Sequence, residues 1–172
     1  MVTAGRGQNR PATPSRAYRD PSGPLGAPPR ASSHAVSKSM KSNRGRGTWP
    51  ELRLRHALRA SGLKEYRVNW PGAPGRPDIV FPSSGLAVFV NGCFWHRCPR
   101  CNLPLPSTNR EFWERKFLRN VNRDARKIRA LRRLGWVVLV VWECELEKSS
   151  EAVTHRIQRM LGKRRRPRPA WT

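Results

Sequence analysis

Apolar positions change period several times along the middle of the chain, and each change marks an element. Leu54, Ala57 and Leu58 recur at helical spacing after Thr48-Trp49-Pro50-Glu51. That string fits a capping box, with Thr48 at N-cap and Glu51 at N3, and the helix it opens should stop at Ser61-Gly62. Residues 66–70 alternate as a short strand, and the Pro/Gly-rich residues 71–77 form a loop. Residues 78–81 and 86–91 read as two strands of a hairpin joined by residues 82–85. The latter strand is apolar enough to be central. Thr108 and Glu111 suggest a second capping box, opening a helix that runs to Leu134 with Gly135 just past its end. Phe112, Val121, Ile128 and Leu131 would form part of its apolar stripe. Residues 136–142 are an unbroken apolar run, expected as a strand buried on both faces. A last helix begins near Ser149 or Ser150 and turns Val153, Ile157 and Leu161 inward. A long helix between two strands implies a parallel crossover, so the expected core is α/β, a mixed sheet flanked by helices.

Charge adds a partner to this picture. The 172 residues carry 35 Lys and Arg against 11 Asp and Glu, a net of +24. Residues 1–47 hold +8 and residues 163–172 hold +5, leaving +11 on residues 48–162. The excess on the ordered part points to a polyanion, most simply a nucleic acid, beyond what basic tails alone would explain. Residues 1–35 are rich in Pro, Gly, Ser and Arg and are expected to be a disordered tail. Residues 36–47 read as a basic arm with Met40 its one long apolar side chain, equally readable as a tail or as a DNA contact. Residues 48–162 would be the folded domain and 163–172 a solvated basic tail. The N-terminus has no apolar run of signal-peptide length, and no run is long enough to span a membrane, which suggests a reducing cytoplasm.

The chemistry gathers after residue 91. Cys93, Cys98 and Cys101 cluster there, and Cys144 stands just past the strand 136–142. If the strands ending at Asn91 and Trp142 are parallel neighbours, four sulfurs converge on one tetrahedral, structural Zn²⁺ site. His96 is an alternative ligand; with four thiolates it stays free to act as a general base near neutral pH. Asp78 opens a strand beside this place. A carboxylate there suits a catalytic metal, although an Asp after Pro is more often a turn residue. The acid-x-Lys that often completes such nuclease sites is absent, and Val90-Asn91 stands in its position. Glu51 has two compatible readings, a helix cap and a carboxylate near the metal. Phe94-Trp95 lie between Gly92-Cys93 and the polar turn, so at least one should point outward, as aromatic wedges that unstack a base step do.

Taken together, residues 36–160 resemble the very short patch repair, or Vsr-type, mismatch endonucleases. The likeness rests on Ser37 to Met40, Pro74 to Asp78, Asn91 to His96, Thr108 to Trp113, Lys116 with Asn120, Arg123-Asp124, and Leu134 to Cys144. It implies a restriction-endonuclease-like fold with a structural zinc, acting as a monomer in the bacterial cytoplasm, at the nucleoid. It implies an enzyme that nicks one strand beside the thymine of T:G mismatches in double-stranded DNA, lesions left by deamination of 5-methylcytosine. By the same resemblance, Asp78 binds a catalytic Mg²⁺ with the Val90 main-chain carbonyl. His96 and Glu51 are the other catalytic residues, Met40, Phe94 and Trp95 intercalate, and Cys93, Cys98, Cys101 and Cys144 hold zinc. Two positions depart from the family pattern: Asn91 stands where a His is usual, and Cys98 replaces a His one residue further from Cys101. A non-catalytic zinc-stabilised DNA-binding protein, or a restriction-type nuclease acting on paired DNA, would share much of this composition.

Overall fold

The computed structural model describes residues 47–162. The basic arm with Met40, the N-terminal tail and the C-terminal basic run lie outside the described residues.

Helix α1 spans Trp49–Ala60, as its periodicity predicts. The Glu51 carboxylate accepts hydrogen bonds from the backbone N–H of Gly47 and from the Thr48 hydroxyl, at 2.9 and 2.8 Å. Such caps satisfy N–H groups that a first turn leaves unpaired, a contribution of about 1 kcal/mol. Strand β1 is only Arg67–Val68, shorter than expected because Asn69 leaves the extended region at φ 49°. Strand β2 is Ile79–Phe81 and β3 is Leu86–Asn91. The link between them is one 3₁₀ turn closed by Gly85 in the left-handed region, where lack of a Cβ removes the strain. Helix α2 is Arg110–Arg133, β4 is Val137–Trp142, α3 is Glu143–Lys148 and α4 is Ser150–Gly162.

The sheet order is β1-β2-β3-β4. The first two pairings are antiparallel, and β3 pairs with β4 in parallel, with Val90 opposite Val141 and Asn91 opposite Trp142. This is the mixed α/β sheet that the pattern predicted. Period-two alternation sorts its side chains to two faces. Ile79, Leu86, Val88, Val90 and Val141 meet Leu54, Leu58, Val153 and Ile157 from α1 and α4 on one face. Val80, Ala87 and Phe89 meet Leu131 and Trp136 on the other.

Four expectations need correction. Thr108 does not cap α2: Asn109 occupies the N-cap position in the left-handed region, and Glu111 is exposed, 3.9 Å from Arg115. Strand β4 is less buried than its composition suggests, with only Val141 fully buried, because it is the sheet's edge strand. Helix α3 does not appear in the apolar pattern at all. It is capped by a carboxylate, the Trp142 N–H donating to Glu145 at 2.9 Å, and Arg100 and Arg156 both bind that same side chain. Lastly, the inward face of α2 is Trp113, Phe117 and Leu131, while Val121 is exposed.

The α2 correction is checkable by denaturant unfolding. Leu131→Ala should cost about 2–5 kcal/mol, as large-to-small core changes do. Val121→Ala should stay within about 0.5 kcal/mol.

Candidate active site and metal centre

Asp78 stands one residue before β2, next to Pro77, which is fully buried. Because Ile79 pairs with Val88, the antiparallel register carries Asp78 toward the C-terminal end of β3. Its Oδ2 accepts the Val90 N–H at 2.8 Å. Burial raises the Asp78 carboxyl from 3.8 to about 6; the Val90 hydrogen bond opposes the rise, the Glu51 charge adds to it, and Lys127 and His96 lower it. Three ionisable side chains, Glu51, Lys127 and His96, therefore act on this one carboxylate. Glu51, almost fully buried, is therefore both the cap of α1 and a neighbour of Asp78. The cap reading holds, and the same side chain acts electrostatically on Asp78.

The backbone beyond β3 folds into a compact turn. His96 N–H donates to the Gly92 carbonyl at 3.2 Å, and Cys98 N–H donates to Cys93 O at 2.9 Å. The turn is tied to the neighbouring strand's exit, since Cys93 N–H donates to Glu143 Oε2 at 3.0 Å. Cys144 N–H points at the Cys93 sulfur, 3.4 Å away.

Parallel pairing brings the four sulfurs together, as the spacing suggested it would. The ligand atoms of Cys93, Cys98, Cys101 and Cys144 all lie within 4.8 Å of one another, with Cys98 Sγ 3.9 Å from Cys144 Sγ. Thiolates at about 2.3 Å from a tetrahedral Zn²⁺ would stand about 3.8 Å apart, so the donor set and its spacing fit such an ion. Burial raises the Cys93 thiol, and it pushes Cys144 up to about 11. Burial works against the Cys98 thiolate too, but N–H groups of Cys101 and Arg100 aimed at its sulfur bring the net shift down. His96 is not among these four converging ligands.

His96 turns instead to helix α2. Its Nδ1 lies 2.5 Å from Asp124 Oδ2. Burial acts to raise the Asp124 carboxyl, and the hydrogen bond and charge of His96 overcome it, so the net shift is downward. One turn earlier, Asn120 Nδ2 donates to the Trp95 carbonyl at 3.0 Å. Trp113, Phe117, Asn120, Asp124, Ile128 and Leu131 follow one another at three- to four-residue steps along a single face of α2. Its lower part is apolar and packs on the sheet, and its middle part is polar and holds the turn. The sequence reading gave Asp124 no role and did not single out Glu143 or Lys127. Asp124 and Lys127 belong to a charged run that looks like a solvated surface, and their local signal is helical phase with Trp113 and Leu131; Glu143 stands past β4, on another helix, and has no such signal.

Phe94 and Trp95 are each half-buried, so neither stands free in the DNA-free protein. Phe94 meets Trp95 and Phe117 edge-on, with centroids 5.1 Å apart in each pair. Trp95 also tilts against Trp113 at 6.0 Å. The Lys116 ammonium lies 5.4 Å from the rings of both Trp95 and Trp113, and 5.6 Å from Phe112. This is an aromatic cluster under a cation at the edge of the turn, a surface suited to bases and phosphates. Met40, expected opposite it, lies outside the described residues.

Comparison with known proteins gives the family. Residues 32–102 match the family described as DNA mismatch endonuclease Vsr. The chain is 42% identical over 129 residues to DNA mismatch endonuclease Vsr of Escherichia coli (strain K12), an alignment covering 73% of this chain and 82% of that one. It is 44% identical over 114 residues to the type II nicking enzyme V.NaeI of Lentzea aerocolonigenes, covering 63% and 68%. The same identity, over 108 residues, relates it to the type II nicking enzyme V.XorIIP of Xanthomonas oryzae pv. oryzae, covering 62% and 78%. A cysteine-knit turn beside a buried carboxylate, on a chain this similar, makes it an endonuclease acting on DNA phosphodiester bonds: the chain belongs to the Vsr family of DNA mismatch endonucleases.

Proposed function

We propose that this endonuclease nicks one strand of double-stranded DNA beside the thymine of a T:G mismatch, with Mg²⁺ as catalytic ion and Zn²⁺ as scaffold. The observation that supports the proposal is the Asp78 carboxylate hydrogen-bonded to Val90 at the end of β3, where the turn that carries His96, Phe94 and Trp95 begins. The restriction-endonuclease-like classification and action as a monomer are part of the same reading.

Asp78 and the Val90 main-chain carbonyl would hold the Mg²⁺, with Glu51 close behind. The two oxygens belong to adjoining strands that the Asp78–Val90 hydrogen bond already holds in register. When bound, the ion supplies electrostatic stabilisation for charge developing on the phosphate. His96 is the general base. With Nδ1 committed to Asp124, the proton from the attacking water has one place to go on the imidazole, Nε2. Asp124 then fixes the ring's tautomer and orientation and steadies the imidazolium. Phe94 and Trp95, with Met40 from the arm, would enter the base step beside the mismatch. A T:G pair costs less to unstack than a Watson–Crick pair, and that difference supplies part of the discrimination. Arg and Lys side chains bind phosphates and carry no sequence information. Cys93, Cys98, Cys101 and Cys144 would hold zinc, and four thiolates from the protein would make that ion structural.

Nicking of otherwise identical duplexes carrying T:G, T:A or C:G tests the reading. Wild-type protein with Mg²⁺ should cut one strand of the T:G duplex and leave the paired ones intact. Asp78→Asn should be slower by about 10³-fold or more. Equal cleavage of paired duplexes, or an active Asp78→Asn, would refute it.

The same substitution should raise stability. The folded-state carboxyl lies above its ordinary value, so charging it disfavours the fold. That cost is absent below pH 4, grows as pH rises to about 6, and then levels off. With Mg²⁺ withheld at pH 8, Asp78→Asn should therefore gain about 2–3 kcal/mol. The gain should vanish below pH 4, as thermal melts across pH will show.

For the scaffold, Cys101→Ser should reduce bound zinc below about one ion per chain and lower the melting temperature. Unchanged zinc stoichiometry by elemental analysis would remove the four-cysteine assignment.

A further inference from the structure

One cation near the nicking centre has no task so far. Lys127 lies one turn beyond Asp124 on the inward side of α2. It lines a small cleft with Phe89, Asn91 and Val140 of the sheet and with Asp124 and Ile128 of its own helix. Its stem is held in place from the far side. A Cβ on Gly75 would come within 2.7 Å of Lys127 Cγ and 2.8 Å of its Cβ, so the loop before Asp78 packs flush against the lysine. The ammonium lies 6.0 Å from the centre of the Phe89 ring. Its charge reaches both carboxylates of the site, lowering Asp78 and Asp124. Yet Lys127 forms no ion pair within 4.0 Å with either, among the described residues. A half-buried ammonium that feels two carboxylates and is bound to neither keeps its donors for a third anion.

The position matters because of what surrounds it. Asn91, at the end of β3, faces the same cleft and is neutral. In this chain the acid-x-Lys of many nucleases is missing from β3, so no cation comes from that strand. The scissile phosphate would approach two carboxylates, Asp78 and Glu51, that repel it. A fixed positive charge close by would offset that repulsion without occupying the ligand positions of an ion.

We propose that Lys127 is a catalytic residue of the nicking reaction, its ammonium receiving a non-bridging oxygen of the scissile phosphate from the cleft it shares with Asn91 and with Asp124, the partner of His96. This rests on the assignment of the nicking centre to Asp78 and His96. The lysine takes no proton and forms no bond; it stabilises charge that grows on the phosphate as water attacks. Arg at this position would keep the charge, and Met would keep the stem.

Single-turnover nicking of a T:G duplex by wild type, Lys127→Met, Lys127→Arg and Asp78→Ala tests it, with duplex affinity measured in parallel in the absence of Mg²⁺. Lys127→Met should nick about 10²-fold more slowly at saturating duplex, the scale on which removal of one transition-state donor is felt. Its duplex affinity should change less than about threefold, because one phosphate contact among many is a small part of binding. Its melting temperature should match wild type, and Lys127→Arg should recover most of the rate. Wild-type nicking by Lys127→Met, or a rate loss matched by an equal loss of affinity or folding, overturns the proposal. If wild type nicks and Asp78→Ala does not, that failure belongs to Lys127 alone. If wild type nicks no duplex, the parent assignment fails and this one with it.

Discussion

The parallel pairing of β3 with β4 is the constraint from which the rest follows. Its register sets Asn91 level with Trp142, so the two strands end together. Both chains then turn at the same height, and the sulfurs at Cys93 and Cys144, two residues past each strand end, come within reach of one ion. A slip of one residue would move one pair of ligands by about 3.3 Å and exchange the faces of the strand. Register is held by apolar sorting. Val88 and Val141 belong to one core, while Ala87 and Phe89 belong to the other. The core therefore specifies the cysteine cluster, and an ion held there would fix the turn that carries His96, Phe94 and Trp95.

Helix α2 closes this assembly from the other side. It makes the crossover that β3 and β4 need in order to be parallel, and it spends the middle of its inward face on polar contacts to the turn. Asp124 takes His96 and Asn120 takes the Trp95 carbonyl. A helix of equal length with an apolar inward face throughout would pack better and orient nothing. Asp78 shows the same conflict more sharply. Its carboxylate sits where burial and Glu51 both resist its charge, so the fold carries a cost that a bound cation would relieve. Proteins commonly hold such strain where chemistry takes place.

Much of this was legible in the sequence. The β3 run, the last helix and the convergence of four cysteines followed from periodicity and spacing, because each rests on a pattern of identical type repeated nearby. The failures have a common cause: a local signal overridden by tertiary context. Thr108 has the right neighbours for a cap, but the chain enters α2 through Asn109 in the left-handed region. The run 136–142 looks central by composition, yet it borders the sheet, and α2 covers only part of it. Of the apolar stripe expected on α2, Ile128 and Leu131 do face the core and Val121 does not, because the inward face also carries Asn120 and Asp124, which hydropathy assigns to solvent. For the same reason the partner of His96 on α2 was not legible. A functional carboxylate on a helix and a solvated one have the same letter and the same neighbours in sequence; only the phase of the helix against the sheet separates them.

The central claim is a division of labour: thiolates build the turn, and carboxylate and imidazole perform the chemistry. Cobalt substitution tests it most directly. Co²⁺ bound by four thiolates in a tetrahedral site gives intense visible absorption and replaces zinc with little change in geometry. The account predicts that cobalt-loaded protein shows this spectrum, that mismatched duplex and Mg²⁺ leave it unchanged, and that the protein nicks at the zinc enzyme's rate only when Mg²⁺ is added. A spectrum that shifts on adding duplex, or nicking that proceeds on the thiolate-bound ion without Mg²⁺, would contradict it.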